Sequence, residues 1–177
     1  MNKVIEKLIP GMFEIFPEKF SDDRGQLIKL LDLNYLEHFL NKKPIIQINK
    51  TITKHKFTIR GMHFQKEPFS EYKVVSCHKG KVFDVVIDLR IKSKTYLKWD
   101  FVELNSDDQN IVIVPEGCAH GFQTFEDNSE LMYFHTNNYS PKYEDGIRYD
   151  DPLINIDWPH NPNKISSRDL SFDYIKL

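Results

Sequence analysis

Cysteine is scarce in this sequence. Cys77 and Cys118 are the only two among 177 residues, and neither forms a CxxC pattern. We therefore expect no disulfide framework and no cysteine zinc site, and a reduced, cytoplasmic setting is the simplest interpretation. Long apolar runs are also missing: Glu6, Lys7 and Pro10 interrupt the first one before it reaches signal-peptide length. No run approaches the roughly 20 residues that a membrane-spanning helix needs, so we expect neither secretion by this route nor a membrane protein.

An excess of charge of one sign is absent too. Twenty-four Lys and Arg face 26 Asp and Glu, which gives a net charge of −2, and no dense basic stripe appears. Nucleic-acid binding is therefore not expected. The sequence also has no repeat, low-complexity tract or linker, and its length suits one well-buried core. We predict a single domain over residues 1–177.

Aromatic residues are plentiful at 13%, which favours half-buried strands. After Pro44, short β-branched or aromatic runs alternate with turn residues, and the pattern predicts an all-β antiparallel sandwich or barrel of the jelly-roll kind. His78, Lys79 and Gly80 separate two of these runs as in a β-hairpin. The predicted strands cover residues 45–48, 57–59, 72–77, 81–89, 99–104, 111–114, 121–125 and 131–136.

Two short peripheral helices are predicted. The first covers residues 35–40, with Asp32 or Asn34 as its N-cap and Asn41 and Pro44 at its end. The second begins near residue 165, with Ser166 as its cap. Between them, the strand over residues 81–89 places Asp84 and Asp88 on one face. That face is either solvated or turned toward a polar cavity.

The histidines show no metal pattern. Seven are present, yet none forms HxH, HxxH or HExxH, so we expect no metal. His63, after Arg60 and Gly61, is a titratable group that could equally be an ordinary half-buried histidine. Other candidates also have structural alternatives: an edge-strand lysine for Lys73, core packing for Tyr133, and the Ser-x-x-Asp helix start for Asp169. His120 lies between small residues that leave its ring room.

Several motifs in one register resemble the dTDP-4-dehydrorhamnose 3,5-epimerase family. The likeness spans roughly residues 5–170 with nearly constant spacing, which is more specific than any single motif. The matching segments are RGMHFQ at 60–65, YKVV at 72–75, GKVFDVVIDLR at 80–90, SKT at 93–95, VPEGCAHGF at 114–122, Tyr133, TNNYSP at 136–141, EDGI at 144–147, DP at 151–152 and IDWP at 156–159.

The resemblance implies a cupin-like jelly roll that works as a homodimer without metal or other cofactor. It implies that His63 is the general base, oriented by Asp169, and that Tyr133 is the acid on the opposite face of the sugar. Lys73 would lie by the ketone oxygen. The remaining implied residues bind a nucleotide-diphosphate sugar: Arg60, His120, Gln47, Asn49, Tyr139 and Arg24, the last commonly from the neighbouring subunit.

These residue types suit the implied chemistry. A ketone at carbon 4 acidifies the protons on carbons 3 and 5, because the carbanion delocalises as an enolate. A neutral His63 can take such a proton, and Asp169 would hold its tautomer. Lys73 places positive charge where the enolate oxygen develops, and a protonated Tyr133 can return a proton. The implied activity is a 3,5-epimerase of 4-keto-6-deoxy sugars for bacterial surface polysaccharides.

The sequence departs from the family where the base binds. Gln26-Leu27-Ile28-Lys29 stands where the family commonly has an aromatic residue and a glutamate, and Gln47-Ile48-Asn49 replaces the usual Gln-Asp-Asn. We therefore hypothesise a changed base or sugar, with a GDP-linked 4-keto-heptose as the first to test. A one-carbon epimerase, a 3,4-ketoisomerase and a sugar-nucleotide-binding module without activity remain alternatives.

Overall fold

The computed structural model describes residues 3–176. It contains thirteen strands and two helices of four residues within that range, and the predicted all-β fold with short helices is confirmed. The strands are β1 Lys3–Glu6, β2 Phe13–Phe16, β3 Lys19–Asp22, β4 Gly25–Ile28, β5 Gln47–Thr53, β6 Ile59–Gln65, β7 Lys73–Lys79, β8 Lys81–Asp88, β9 Trp99–Asn105, β10 Ile111–Val114, β11 Cys118–Thr124, β12 Ser129–His135 and β13 Glu144–Gly146. The helices are α1 Leu33–Leu36 and α2 Ser167–Leu170.

The strands form two large antiparallel sheets and one small one. The six-stranded sheet has the order β1-β2-β10-β7-β12-β5, and the five-stranded sheet has the order β13-β6-β11-β8-β9. Strands β3 and β4 form a separate hairpin. Buried side chains from both large sheets, such as Val75 and Leu131 from one and Val86 and Phe122 from the other, make one core cluster between them. Each fully buried side chain of this kind stabilises the fold by roughly 1.5–3 kcal/mol.

The predicted hairpin between residues 72–77 and 81–89 is wrong. Strand β7 pairs with β10 and β12, whereas β8 pairs with β11 and β9, so the two strands lie in different sheets. The short turn at Gly80 carries the chain from one sheet to the other. Both faces of β8 are buried, because Val82 and Val86 pack between the sheets while Val85 and Ile87 pack in an apolar cluster on the other face.

Several other boundaries differ from the prediction. The run at residues 45–48 is the start of a longer strand, β5, and the run at 57–59 precedes β6, so the RGMHFQ segment is itself a strand. Strands β1 to β4 and β13 were not predicted. Each has only three or four residues and no fully buried face, so its hydrophobic periodicity is weak.

A short helix is present near each of the two predicted positions. Asp32 caps α1 by accepting a hydrogen bond from the Tyr35 N–H, although the regular helix ends at Leu36 and continues only as turns. Ser166 caps α2 by accepting from the Asp169 N–H, and Asp169 is thereby fixed in the first turn. No helix within residues 3–176 is long and apolar enough to cross a membrane.

Candidate active site

A cavity of about 600 Å³ opens between the two large sheets. This volume suits a small-molecule ligand. Eight of the ten residues proposed from the sequence line it: Asn49, Arg60, His63, Lys73, His120, Tyr133, Tyr139 and Asp169. Asn49 and Asp169, 120 positions apart in the chain, thus meet in one chamber, because β5, β6, β7, β11, β12 and α2 all contribute side chains to it.

Two glycines let the strands at this chamber approach closely. A Cβ atom on Gly61 would lie 2.6 Å from the Cα of Gly121, and one on Gly121 would lie 2.6 Å from the Met62 sulfur. Gly61 also has φ +127°, a conformation that favours glycine. The close contact of β6 and β11 sets His63 directly opposite His120 in the strand register. The glycine of the RGMHFQ segment is therefore required by packing.

His63 forms a hydrogen-bonded pair with Asp169. The Nε2 atom of His63 lies 2.8 Å from Asp169 Oδ1, and Asp169 Oδ2 accepts from the Gly61 N–H at 3.2 Å. Burial alone would raise the pKa of Asp169, but the bond from His63, its charge and the Gly61 bond hold that pKa below its ordinary value. Asp169 is therefore a carboxylate that accepts a hydrogen bond from the N–H at Nε2 of His63. In a neutral imidazole, Nδ1 then carries a free lone pair, which is able to take a proton.

The His63 ring is the accessible member of this pair. Its side chain is 30% exposed, whereas that of Asp169 is 5% exposed. Phe172 stands edge-on to the ring, with the centroids 5.8 Å apart. Asp169 on α2 and Phe172 in the following segment thus contact the imidazole, which also lines the cavity.

His120 has a carboxylate partner of its own. Its Nε2 lies 2.9 Å and 2.8 Å from the two oxygens of Asp84, and the pair is almost wholly buried. Burial raises the pKa of Asp84, and His120 opposes that shift. The solvated alternative for the Asp84 face of β8 is wrong, because Asp84 is fully buried and reaches the cavity only through His120. Asp88 is also buried, where Arg90, Ser93 and Thr95 donate hydrogen bonds to it.

Lys73 and Tyr133 come from the six-stranded sheet. Lys73 Nζ donates to the His63 carbonyl at 3.3 Å and lies 3.7 Å from Glu71 Oε1. Burial lowers the pKa of Lys73, and Glu71 is the first of the carboxylates that oppose this. Burial raises the pKa of Tyr133 well above its ordinary value, so its hydroxyl keeps its proton at neutral pH. The edge-strand alternative for Lys73 is wrong, since β7 is an interior strand of its sheet. The core-packing alternative for Tyr133 is confirmed, because its ring belongs to the core cluster, and the side chain also lines the cavity.

The remaining binding candidates fall into three groups. Asn49 and Arg60 line the cavity, and Arg60 Nε donates to Thr53 at 3.0 Å. Gln47 lies behind the wall, where its amide donates to Asn49 Oδ1 and its oxygen accepts from the Tyr139 N–H. Arg24 lies elsewhere, in the β3–β4 hairpin, with its side chain 84% exposed and paired with Asp22. Within one chain the structure does not bring Arg24 to the cavity.

Sequence analysis missed four cavity residues. Tyr139 donates to Glu144 at 2.6 Å, and Arg168 pairs with the same carboxylate at 2.6 Å, which ties α2 to the rim. Glu71 and His135 form a further pair in the wall. His135 follows Tyr133 by two positions on one strand, and this spacing could have placed it on the same face. Glu144 lies in the EDGI segment but was given no role, and nothing in the local sequence marks Glu71 or Arg168.

The chain matches the family model of dTDP-4-dehydrorhamnose 3,5-epimerase over residues 6–176. It belongs to this family. The dTDP-4-dehydrorhamnose 3,5-epimerase of Sinorhizobium fredii is 34% identical over 174 residues, covering 92% of this chain and 89% of that protein. A dTDP-4-dehydrorhamnose 3-epimerase of Streptomyces niveus is 36% identical and covers 91% of this chain and 78% of its own.

A solved structure agrees with the fold throughout. The dTDP-4-dehydrorhamnose 3,5-epimerase of Bacillus anthracis, with TDP and PPi bound, superposes with a TM-score of 0.94 at 31% identity. The match covers 99% of this chain and all of that one. The family's epimerases are isomerases of sugar nucleotides, so the resemblance found in the sequence motifs is confirmed at the level of family and fold.

Proposed function

We propose that this protein is an epimerase that removes and returns protons at carbons 3 and 5 of a nucleotide-linked 4-keto-6-deoxy sugar. The observation that carries the proposal is the His63–Asp169 pair, which opens on the same cavity as Lys73 and Tyr133. A base, a cation and a protonated hydroxyl are the three groups that the reaction requires. The family relatives carry names for the same activity.

In this proposal the unprotonated Nδ1 of His63 removes the proton beside the ketone. Asp169 stabilises the imidazolium that forms, and Lys73 stabilises the enolate oxygen. His63 belongs to the five-stranded sheet and Tyr133 to the six-stranded sheet, so the two side chains approach a ligand from different walls of the cavity. Tyr133 can thus return a proton to the face opposite the base, which inverts the carbon.

The rest of the cavity suits the nucleotide diphosphate. Arg60 supplies a guanidinium, His120 a ring that Asp84 holds in place, and Asn49 with Tyr139 a polar edge. The bound TDP of the Bacillus anthracis relative supports a dTDP-linked substrate. The reaction needs no redox cofactor, since each proton removed is returned to the same carbon.

Two finer proposals concern the nucleotide and the assembly. Arg24, Gln26 and Leu27 are exposed on the β3–β4 hairpin, and we propose that a second copy of the chain brings this hairpin to the cavity in a homodimer. Ile48 and Ile52 on the edge strand β5 are each 58% exposed and offer an apolar surface for that contact. Sedimentation should show a dimer, and a monomer would refute this arrangement. Arg24→Ala should weaken nucleotide binding.

The departures at Gln26, Lys29 and Ile48 support a base other than thymine, and a GDP-linked 4-keto-heptose is the substrate we propose to test against the dTDP-linked sugar. Calorimetry with dTDP and GDP decides between them. Tighter GDP binding supports the change of base, whereas equal affinities or a preference for dTDP count against it. We place the reaction in the cytoplasm, in keeping with the free thiols of Cys77 and Cys118.

Deuterium exchange of the substrate in heavy water, followed by NMR, tests the reaction itself. The proposal predicts label at carbons 3 and 5. Label at one carbon would indicate the one-carbon epimerase that the Streptomyces niveus relative is named for. A displaced ketone would indicate a 3,4-ketoisomerase, and tight binding without any label would indicate a binding module.

A further inference from the structure

A third histidine–carboxylate pair lies in the cavity wall, and the proposed reaction does not use it. His135 Nδ1 lies 2.9 Å from Glu71 Oε2, and the other oxygen of Glu71 lies 3.7 Å from Lys73 Nζ. All three side chains are almost buried, at 12%, 6% and 11% exposure. One carboxylate therefore joins a histidine to the lysine that faces the ketone.

The hydrogen bonds around His135 fix its charge. Asn49 Oδ1 accepts from Gln47, so the Asn49 amide nitrogen faces His135 Nε2, at 3.4 Å. Nε2 is then the acceptor and Nδ1 carries the proton that it donates to Glu71. His135 is neutral in this arrangement, and it leaves the full negative charge of Glu71 for Lys73.

The other carboxylates near Lys73 are shared with cations or held by donors. Glu144, on β13, pairs with Arg168 and accepts from Tyr139, while Asp84, on β8, is engaged by both bonds to His120. Glu71 has a neutral histidine and Lys73 as its partners. The groups that face Lys73 from the surrounding elements are Glu71, Asp84, Glu144, His63, His120, Tyr133 and His135.

We infer that Glu71, held in place by His135, is a positioning residue that keeps Lys73 an ammonium ion directed into the cavity. This inference rests on the proposed function, in which Lys73 stabilises the enolate. Burial works against the charge of Lys73, and the carboxylate of Glu71 offsets that cost. Without it, the lysine loses its proton at a lower pH and can no longer balance a developing oxyanion.

Glu71→Gln tests this role, because glutamine keeps the shape and can still accept from His135 while the charge is lost. The pKa of Lys73 is read from the ¹³Cε resonance of labelled lysine, assigned with Lys73→Arg. We expect it to fall by about one unit or more. Above that pKa, kcat for proton exchange falls at least about tenfold with little change in KM, and lowering the pH restores part of it.

Two variants separate charge from packing. Glu71→Asp keeps the carboxylate, and we expect it to recover most of the Lys73 pKa and of the exchange rate. Glu103→Gln removes an equivalent charge from a surface pair with Lys81, outside the cavity, and should alter neither quantity. If Glu71→Gln fails to fold, the pKa of Lys73 in Glu71→Asp is compared with that of the wild type. A value close to the wild type supports a role for the carboxylate, and a fall of about one unit or more contradicts it.

The outcomes distinguish this inference from the proposed function. An unchanged Lys73 pKa and pH profile in Glu71→Gln, with normal exchange by the wild type, overturns the role of Glu71 alone. Absence of exchange by the wild type overturns the proposed function and this role together. Equal losses in Glu71→Asp and Glu71→Gln would mean that packing, and not charge, is what Glu71 supplies.

Discussion

The histidines of two histidine–aspartate pairs lie on neighbouring strands of one sheet, and the pairs differ in exposure more than in geometry. The shortest N–O distance is 2.8 Å in both the His63–Asp169 and the His120–Asp84 pair. Yet the His63 side chain is 30% exposed and that of His120 only 5%. A hydrogen-bonded pair is therefore not enough to identify a base. The difference lies in how far each ring is exposed to the cavity.

The two carboxylates also respond differently to burial. The pKa of Asp84 is raised, because its burial outweighs the opposing charge and hydrogen bonds of His120. The pKa of Asp169 is lowered, since a backbone N–H from Gly61 and the His63 ring outweigh its burial. The first pair is a buried polar part of the cavity wall, and the second holds the residue that we propose as the base in a defined tautomer.

The largest expected effect is on the base itself. His63→Ala should lower the rate of substrate proton exchange on the order of 10³-fold, because no other group beside the ketone can take the proton. His120→Ala should instead lower stability by about 3 kcal/mol, because Asp84 is left buried without its partner. The two variants are compared by their rates of substrate proton exchange and by their free energies of unfolding in urea. The assignment fails if His63→Ala retains the wild-type rate.

A smaller loss of rate is expected for Asp169→Asn, on the order of 10²-fold, since the amide can donate to His63 Nε2 and shift the proton to Nδ1. Long-range ¹⁵N NMR of the ring should show the tautomer reversed. Asp84→Asn is the matched control, and its exchange rate should change much less. Equal losses in the two variants would contradict the distinction between the pairs.

Tyr133→Phe should separate proton removal from inversion. The ring of Tyr133 stands edge-on to His120, at 6.1 Å between centroids, and phenylalanine preserves that packing. We expect deuterium still to enter the substrate while the inverted product forms about tenfold or more slowly. NMR of both species in one reaction gives the ratio. Inversion at the wild-type rate would remove Tyr133 from its proposed role.

The smallest expected effect is the pH dependence of stability. Because the folded pKa of Asp169 is depressed, its contribution is present above the unfolded value of 3.8 and lost as pH falls through the folded pKa. Asp84 has a raised folded pKa, so stability declines as pH rises from 3.8 through that pKa. Each contributes about 1.4 kcal/mol per pKa unit. Urea unfolding across pH gives the stability difference between the wild type and each Asp→Asn variant. This difference should rise with pH for Asp169 and fall with pH for Asp84, and slopes of the same sign would refute the contrast.

The motifs predicted the site better than they predicted the strand pairing. The family resemblance carried by RGMHFQ and VPEGCAHGF implied that His63 and His120 share one site, and both side chains line the cavity because β6 and β11 are neighbours. Hydrophobic periodicity could not reveal that β7 and β8 belong to different sheets, because runs buried on both faces look alike whatever their partners. Strand pairing depends on contacts between residues far apart in the chain, and the residues of a single strand do not reveal which strand will be its partner.

The same limit explains the missed residues. His135 could have been found from its spacing to Tyr133, but the role of Glu71 depends on the register that sets His135 opposite Lys73. Arg24 shows the converse: the motif implies a site residue, while the chain alone leaves it exposed on a hairpin. In the homodimer that we propose, a second copy brings this hairpin to the cavity, and the geometry of a single chain does not include that contact.

Chemical rescue tests the central claim most directly. His63→Ala leaves a gap between Asp169 and the cavity that free imidazole can fill, which restores a base at the same place. We predict that substrate proton exchange by His63→Ala rises with imidazole concentration and then saturates, with no such response in His120→Ala. Exchange that is insensitive to imidazole in His63→Ala while the fold is intact, or equal rescue of both variants, would contradict the assignment of His63 as the base.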